Sequence, residues 1–247
     1  SEDLDGYLNY TLGNYAATTV EGALGGPISG DSVMGRIAVK ADKRDGYGRN
    51  LTTGKPVDNR DAYAVRGSLR FRPSDTLDVV LMADYFKEDD YNYAFHFLGT
   101  TVVPEDQLAH NLLGGRTIFD YYADRGKKPD QRNIVSDQDP INERDGTAVS
   151  AIIDWDFADG WNLKSITAWR DFNRFLRDDL DGSDVDMFGQ NNYIEESESW
   201  SQDFTVAGTA ANVEWLLGAN YFSEKMHGEV KGPLTNLGLV FGLPADF

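Results

Sequence analysis

Segments of alternating polarity in this chain are joined in turn by a tight turn and by a long acidic, aromatic connection. That order constrains the fold more than any other feature. The tight turns are Ser29-Gly30-Asp31-Ser32, Pro73-Ser74-Asp75, Ala158-Asp159-Gly160 and Thr209-Ala210-Ala211-Asn212. The long connections run over 44–59, 87–142 and 176–196, and another opens after Lys225. In an up-and-down antiparallel sheet, odd connections lie at one end and even ones at the other. Every tight turn therefore falls on one rim and nearly every long connection on the other.

Five of the joining segments show two faces. Ile37, Val39 and Ala41 alternate with Arg36, Lys40 and Asp42, and Tyr63, Val65, Leu69 and Phe71 with Arg66, Ser68, Arg70 and Arg72. Leu77, Val79, Leu81, Ala83 and Tyr85 alternate with Asp78, Met82 and Asp84. The same pattern runs through 147–157 and 213–224. Period two places each set on one side of a sheet. The segments 7–15, 18–28, 161–175 and 199–208 read more weakly as strands, bringing the total to about nine. Most reach the ~9–11 residues that a tilted strand needs to cross a bilayer.

The expected fold is all-β, an antiparallel up-and-down transmembrane β-barrel with short turns on one rim and long extracellular loops on the other. Phe71, Trp155 and Phe157 beside the short turns, and Tyr85 and Tyr221 towards the long loops, stand where interfacial aromatic girdles belong. Alternation alone equally fits a soluble β-sandwich, in which Leu77, Val79, Leu81, Trp215 and Leu217 would face a second sheet. A passive outer-membrane channel also remains open.

Composition narrows the function. A net charge of −18 lacks the basic footprint of a nucleic-acid binder. The absence of cysteine excludes disulfides and thiolate metal sites. No apolar run reaches the ~18 residues of a membrane helix, and a mean hydropathy of −0.47 is compatible with barrel strands. Neither a G-x-S-x-G elbow, an H-E-x-x-H pair nor a phosphate loop occurs, so no enzyme and no cofactor is expected.

Several short motifs, in order, resemble the TonB-dependent receptors of bacterial outer membranes, particularly the iron-complex receptor type. They are 10–15 (YTLGNY), 20–28 (VEGALGGPI), 66–74 (RGSLRFRPS), 163–170 (LKSITAWR), 201–204 (SQDF) and 215–222 (WLLGANYF). The resemblance implies a receptor in the outer membrane of a Gram-negative bacterium. It imports a scarce ligand, such as a ferric siderophore, with energy from the TonB system. Residues 1–247 would then be an incomplete arc of about nine strands. The plug domain through which TonB acts, and the remaining barrel strands, would lie outside it. Implied partners are outer-membrane lipid and a small-molecule ligand.

Candidate sites follow from both readings. Tyr91, Tyr93, Phe95 and Phe97 offer stacking faces beyond the strand at 77–86, or else pack loop against loop. Arg66, Arg70, Lys164 and Arg170 would line the lumen, attracting an anionic chelate or pairing with plug carboxylates. Asp179, Asp181 and Asp184, around Gly182, are weak candidates for a hard cation without EF-hand spacing. Scattered His96, His110 and His227 have no metal-ligand spacing.

Overall fold

A computed structural model of the chain describes residues 3–92, 95, 130–180, 182, 184, 191–210 and 212–232. The strands are β1 (Asp5–Leu12), β2 (Thr18–Ser29), β3 (Val33–Arg44), β4 (Gly48–Arg49), β5 (Pro56–Val57), β6 (Arg60–Ser74), β7 (Leu77–Asp90), β8 (Ile141–Ala158), β9 (Trp161–Asp178), β10 (Asn191–Ala210) and β11 (Val213–Lys231). Nine of them form one antiparallel sheet in the order β1-β2-β3-β6-β7-β8-β9-β10-β11, and β4 and β5 form a small separate ribbon. Each sequential pair is a hairpin. The sheet is open among the described residues, since β1 and β11 each pair on one edge only.

The tight turns fall on one rim, as the sequence requires, and the long connections on the other. The link between β1 and β2 is the exception, a short turn on the long-loop rim. Tyr15 and Ala16 there have φ of 62° and 51°, as the central residues of a mirror-image hairpin turn require. The Asp45 N–H donates to the Tyr15 carbonyl, and Tyr15 meets Tyr47 edge-on at 5.0 Å. These contacts offset a backbone conformation that non-glycine residues adopt at a cost of about 1–2 kcal/mol.

Residues paired across the ladder share a face, so the register sorts every side chain. One face carries Ile37, Val39, Tyr63, Val65, Leu69, Leu81, Tyr85, Val149, Trp155, Trp169, Phe204, Leu217 and Tyr221. The other carries Arg66, Arg70, Asp78, Asp84, Asp154, Lys164, Arg170 and Asp203. The apolar face is open: Leu81 is 41% exposed and Leu217 70%. No second sheet covers it among the described residues, which removes the β-sandwich alternative. The few buried apolar residues, Val57, Ile134 and Val135 among them, do not form a sandwich core. An exposed apolar surface of this extent marks an interaction face.

Aromatic residues bound that face in two rows. Tyr63, Tyr85, Trp169, Trp200 and Tyr221 lie towards the long loops, and Phe71, Trp155, Phe157, Trp161 and Trp215 towards the short turns. Both rows cross the register obliquely. Tyr85 leads straight across to Thr147, Asp171, Glu198 and Lys225, whereas the aromatic on β11 is Tyr221, four residues nearer the short turn. Phe71 leads to Val79, Ile153, Ser165, Phe204 and Ala219, and Trp215 again lies four residues nearer that turn. The rows thus descend together by about one residue per strand. With a rise of about 3.3 Å per residue and about 4.8 Å between strands, that drift tilts the strands by about 35° from the perpendicular to the rows. The eight residue steps from Tyr63 to Phe71 then span about 22 Å between the rows, close to the ~25 Å apolar band of outer-membrane barrels.

Two glycines on opposite faces give a matched test. At Gly146 a Cβ would lie 2.6 Å from Phe86 Cε1 and 3.3 Å from the Asp171 carbonyl, whereas at Gly67 nothing lies within 4 Å. Gly146→Val is expected to cost about 1–3 kcal/mol through overpacking. Gly67→Val is expected to be neutral or to stabilise by up to about 1 kcal/mol through strand propensity. Urea-unfolding midpoints of the two variants measure the contrast.

Candidate functional site

The polar face gathers Arg66, Arg70, Lys164 and Arg170 on one side of four strands, as the sequence pattern implies. Their surroundings differ. Arg66 Nη2 bonds Asp84 Oδ1 at 3.2 Å, and Arg70 grips Asp78 through its Nε at 2.9 Å and again through Nη2. Lys164 stands opposite Asp154 in the ladder, and Arg170 between Ala148 and Ser199. Neither the Lys164 nor the Arg170 side chain has an ion pair or hydrogen bond among the described residues.

Beside Arg170 the polar face has an apolar inset that sequence reasoning missed. Phe86 and Phe172 lie with ring centroids 6.4 Å apart on either side of Gly146, whose missing side chain leaves room for the Phe86 ring. Phe222 and Met226 from β11 continue the patch, and Ser197 and Ser199 supply hydroxyls. Together with Arg170 they line an open cleft of about 660 Å³. Several phenyl rings beside one guanidinium suit a planar, aromatic ligand, and the Asp84 and Glu224 carboxylates line the same cleft. The phenylalanines occupy polar-phase positions of their strands, and that phase violation was the available signal.

Towards the long-loop rim, beyond the Tyr63–Tyr85 row, an ionic knot ties three strands. Arg60 bonds Glu88 at 2.6 Å and the fully buried Asp90 at 3.2 Å, and Arg144 holds the other Glu88 oxygen. Asp90 also accepts the Asp61 N–H at 2.6 Å. Burial raises the Glu88 carboxyl, but hydrogen bonds from Arg144 and Arg60 outweigh it and leave the group below its ordinary value. Burial dominates at Asp90, which stays above its ordinary value despite the Asp61 N–H and Arg60.

Above the knot, the loop 44–59 and the segment 130–140 form a packed cap around Asn50. Its side chain is fully buried; Nδ2 donates to the Ser136 and Gln138 carbonyls and to Asp139, and Oδ1 accepts the N–H groups of Thr52 and Ser136. Val57, Ile134 and Val135 pack out of water beside it. Lys55 pairs with Asp139 at 2.9 Å, and that carboxylate raises the Lys55 ammonium above its ordinary value.

Of the aromatic loop candidates, Tyr91 belongs to this cap. Its N–H donates to Asn59 at 2.6 Å, its carbonyl accepts the Asp58 N–H, and Lys55 lies 5.9 Å from its ring. That is the loop-against-loop arrangement. Phe95 is exposed, while Tyr93 and Phe97 lie outside the described residues. Asp181 also lies outside them, and the Asp179 carboxylate accepts the Gly182 N–H at 3.2 Å. Among the described residues no three His, Cys, Asp or Glu side chains converge as metal ligands, Asp179 and Asp184 included.

No family model and no curated protein matches the chain. Solved structures do match. The ferric yersiniabactin uptake receptor FyuA from Yersinia pestis superposes with a TM-score of 0.66 at 16% identity, over 94% of this chain and 33% of its own. The ferripyoverdine receptor of the outer membrane of Pseudomonas aeruginosa, bound to ferripyoverdine, gives 0.60 at 17% identity, over 94% and 29%. The siderophore receptor PiuA from Acinetobacter baumannii gives 0.58 at 13% identity, over 91% and 30%. The chain spans about a third of the length of these structures. It has the fold of part of their wall, and these neighbours are receptors rather than enzymes.

Asn50→Ala leaves the Thr52 and Ser136 N–H groups without their acceptor, at about 1–3 kcal/mol for each buried group. Trypsin cleavage after Arg49 and Arg132 is expected to accelerate by about tenfold or more, with the β8–β9 hairpin unaffected. The knot responds to acid. Because the folded Glu88 value lies below its ordinary 4.5, its stabilising contribution is complete above that pH and is lost as pH falls through the lower folded value. Asp90 works in the opposite sense, its burial penalty easing as it protonates. Hydrogen-exchange protection of the Asp61 and Glu88 amides, corrected for intrinsic rates, is expected to hold from neutrality to about pH 5 and to fall below 4.5. Glu88→Gln removes that acid step.

Proposed function

We propose that the chain is an arc of the barrel wall of a TonB-dependent receptor in the bacterial outer membrane, and that the receptor imports a ferric chelate of the siderophore class. The observation that carries this reading is the pair of aromatic rows descending the register together around an exposed apolar face. A soluble sheet has no reason to keep two such rows parallel and about 22 Å apart, whereas an interface on each side of a bilayer demands it. The likeness to siderophore receptors supports the class of cargo, and the sequence motifs support dependence on TonB.

In this reading the apolar face meets lipid and the polar face lines the lumen. The cap around Asn50 faces the outside of the cell, and the turn at Ala158-Asp159-Gly160 faces the periplasm. Arg66 and Arg70 are neutralised within the sheet by Asp84 and Asp78. Arg170 is left for groups that enter the lumen, and its neighbouring phenyl rings favour the chelate over a plug carboxylate. A passive channel would need neither the aromatic inset nor energy.

The chain has no cysteine, so single introduced thiols report position without background. On intact cells, a membrane-impermeant maleimide is expected to label Lys55→Cys and to miss Leu81→Cys, Leu217→Cys and Asp159→Cys. Permeabilising the outer membrane should expose only Asp159→Cys. Labelling of Leu81→Cys in intact cells would sink the barrel reading. For cargo, ferric-chelate uptake should stop when the inner-membrane proton gradient is collapsed, and Arg170→Ala should weaken chelate binding by about tenfold, as loss of one desolvated charge contact does. Uptake that persists without the gradient would favour the passive channel.

A further inference from the structure

The cleft beside Arg170 carries two charges of opposite sign that the sheet leaves unmatched. The ladder sets Arg66, Asp84, Ala148, Arg170, Ser199 and Glu224 in one cross-strand row of the polar face. The next row towards the long loops holds Phe86, Gly146, Phe172, Ser197 and Met226, and the next towards the short turns holds Phe222. Period two keeps all of them on one side of the sheet. On β10 the floor of the cleft is made of two small side chains, Ser197 and Ser199. The strands on either side raise its walls, with Arg170 and Phe172 on β9 and Phe222, Glu224 and Met226 on β11. At about 4.8 Å between neighbouring strands, the two walls stand about 10 Å apart.

Asp84, the other carboxylate in the cleft, is met within the sheet by Arg66 at 3.2 Å. Arg170 and Glu224 form no ion pair among the described residues, with each other or with any third group. The Ser197 hydroxyl donates to Glu224 Oε1 at 2.8 Å, which holds the carboxylate over β10, in the row of Phe172 and short of Arg170. Both Arg170 and Glu224 are exposed. One wall thus offers a guanidinium beside a phenyl ring, and the other a carboxylate between a phenyl ring and a thioether. The first suits an anionic aromatic group. The second suits an organic ammonium, which a carboxylate and a ring face attract together.

We propose that the cleft selects a chelate carrying a protonated amine beside its planar, anionic aromatic donors, and that Glu224 is the residue that recognises the amine. The inference rests on the import reading above and narrows its cargo. An aromatic donor stacks on Phe172 with its anionic edge towards Arg170. The ammonium meets Glu224 and the Phe222 ring across the serine floor. Arg170 alone would favour the most anionic chelate. Glu224 reverses that order, because a chelate bearing only anions brings like charge against its carboxylate.

The test uses the intact receptor of which this chain is an arc, purified in detergent, and two probes that differ only in the amine. Both are ferric complexes of dihydroxybenzoyl-lysine, whose catecholate oxygens hold the iron and whose side-chain amine is either free or acetylated. Quenching of tryptophan fluorescence reads the two affinities. The free-amine complex is expected to bind about fivefold more tightly, the size of an exposed ion pair reinforced by one ring. Glu224→Gln keeps the size of the side chain and an acceptor for Ser197, and should bring that ratio close to one. Arg170→Gln should weaken both complexes by a similar factor and leave the ratio in place. Equal affinities in the unsubstituted receptor, tighter binding of the acetylated complex, or a preference that survives Glu224→Gln would overturn the proposal. Binding of both complexes without preference refutes the amine recognition alone. Binding of neither removes the chelate from this cleft, and the import reading of Arg170 falls together with the proposal.

Discussion

Lateral backbone hydrogen bonding is the interaction on which the rest of this structure depends. Nine strands satisfy one another's N–H and C=O groups edge to edge, so neither face of the sheet needs polar cover. The side chains are then free to make one face apolar and leave it open as an interaction face, which lipid covers in the membrane reading. The ladder also fixes the register, and the register sets how far each strand is displaced from the next. The oblique aromatic rows are the visible result: about one residue of drift per strand, and hence a tilt of about 35°.

The polar face and the long-loop rim, both wet in the membrane reading, are built differently. Inside the band, cations and carboxylates pair across neighbouring strands, as in Arg66–Asp84 and Arg70–Asp78. Above it, the ladder continues while a buried network takes over: Arg60, Glu88, Asp90 and Arg144 join three strands, and Asn50 ties two loop segments 86 residues apart. The outer surface is therefore partly a preformed ledge. In the import reading, the ligand meets this rigid rim before the Arg170 cleft.

Much of the wall was legible in sequence. The alternation in 63–72 and 77–86 assigns each residue to the face on which the ladder places it, and the four tight turns sit where Gly, Asn and Asp predicted them. Strand ends were less legible. β10 begins at Asn191, not near 199, because Glu195, Glu196 and Glu198 read as an acidic loop. Beyond the apolar band both faces of a strand are wet, so period-two contrast vanishes although hydrogen bonding continues. The same cause hides the first residues of β8 and the last of β11. Asn50 was unreadable for another reason: a single asparagine in a loop carries no local sign of partners so distant. Phe86, Phe172 and Phe222 were readable as apolar residues on the wrong phase, yet only the register shows that they meet beside Arg170.

The central claim is that this sheet stands tilted in a bilayer with its apolar face in lipid. Polarised infrared spectroscopy of the protein in oriented bilayers measures the strand tilt directly from the amide I dichroism. The account predicts one strand population inclined by about 35–45° to the bilayer normal. Strands without a preferred orientation, or lying flat in the membrane plane, would contradict it.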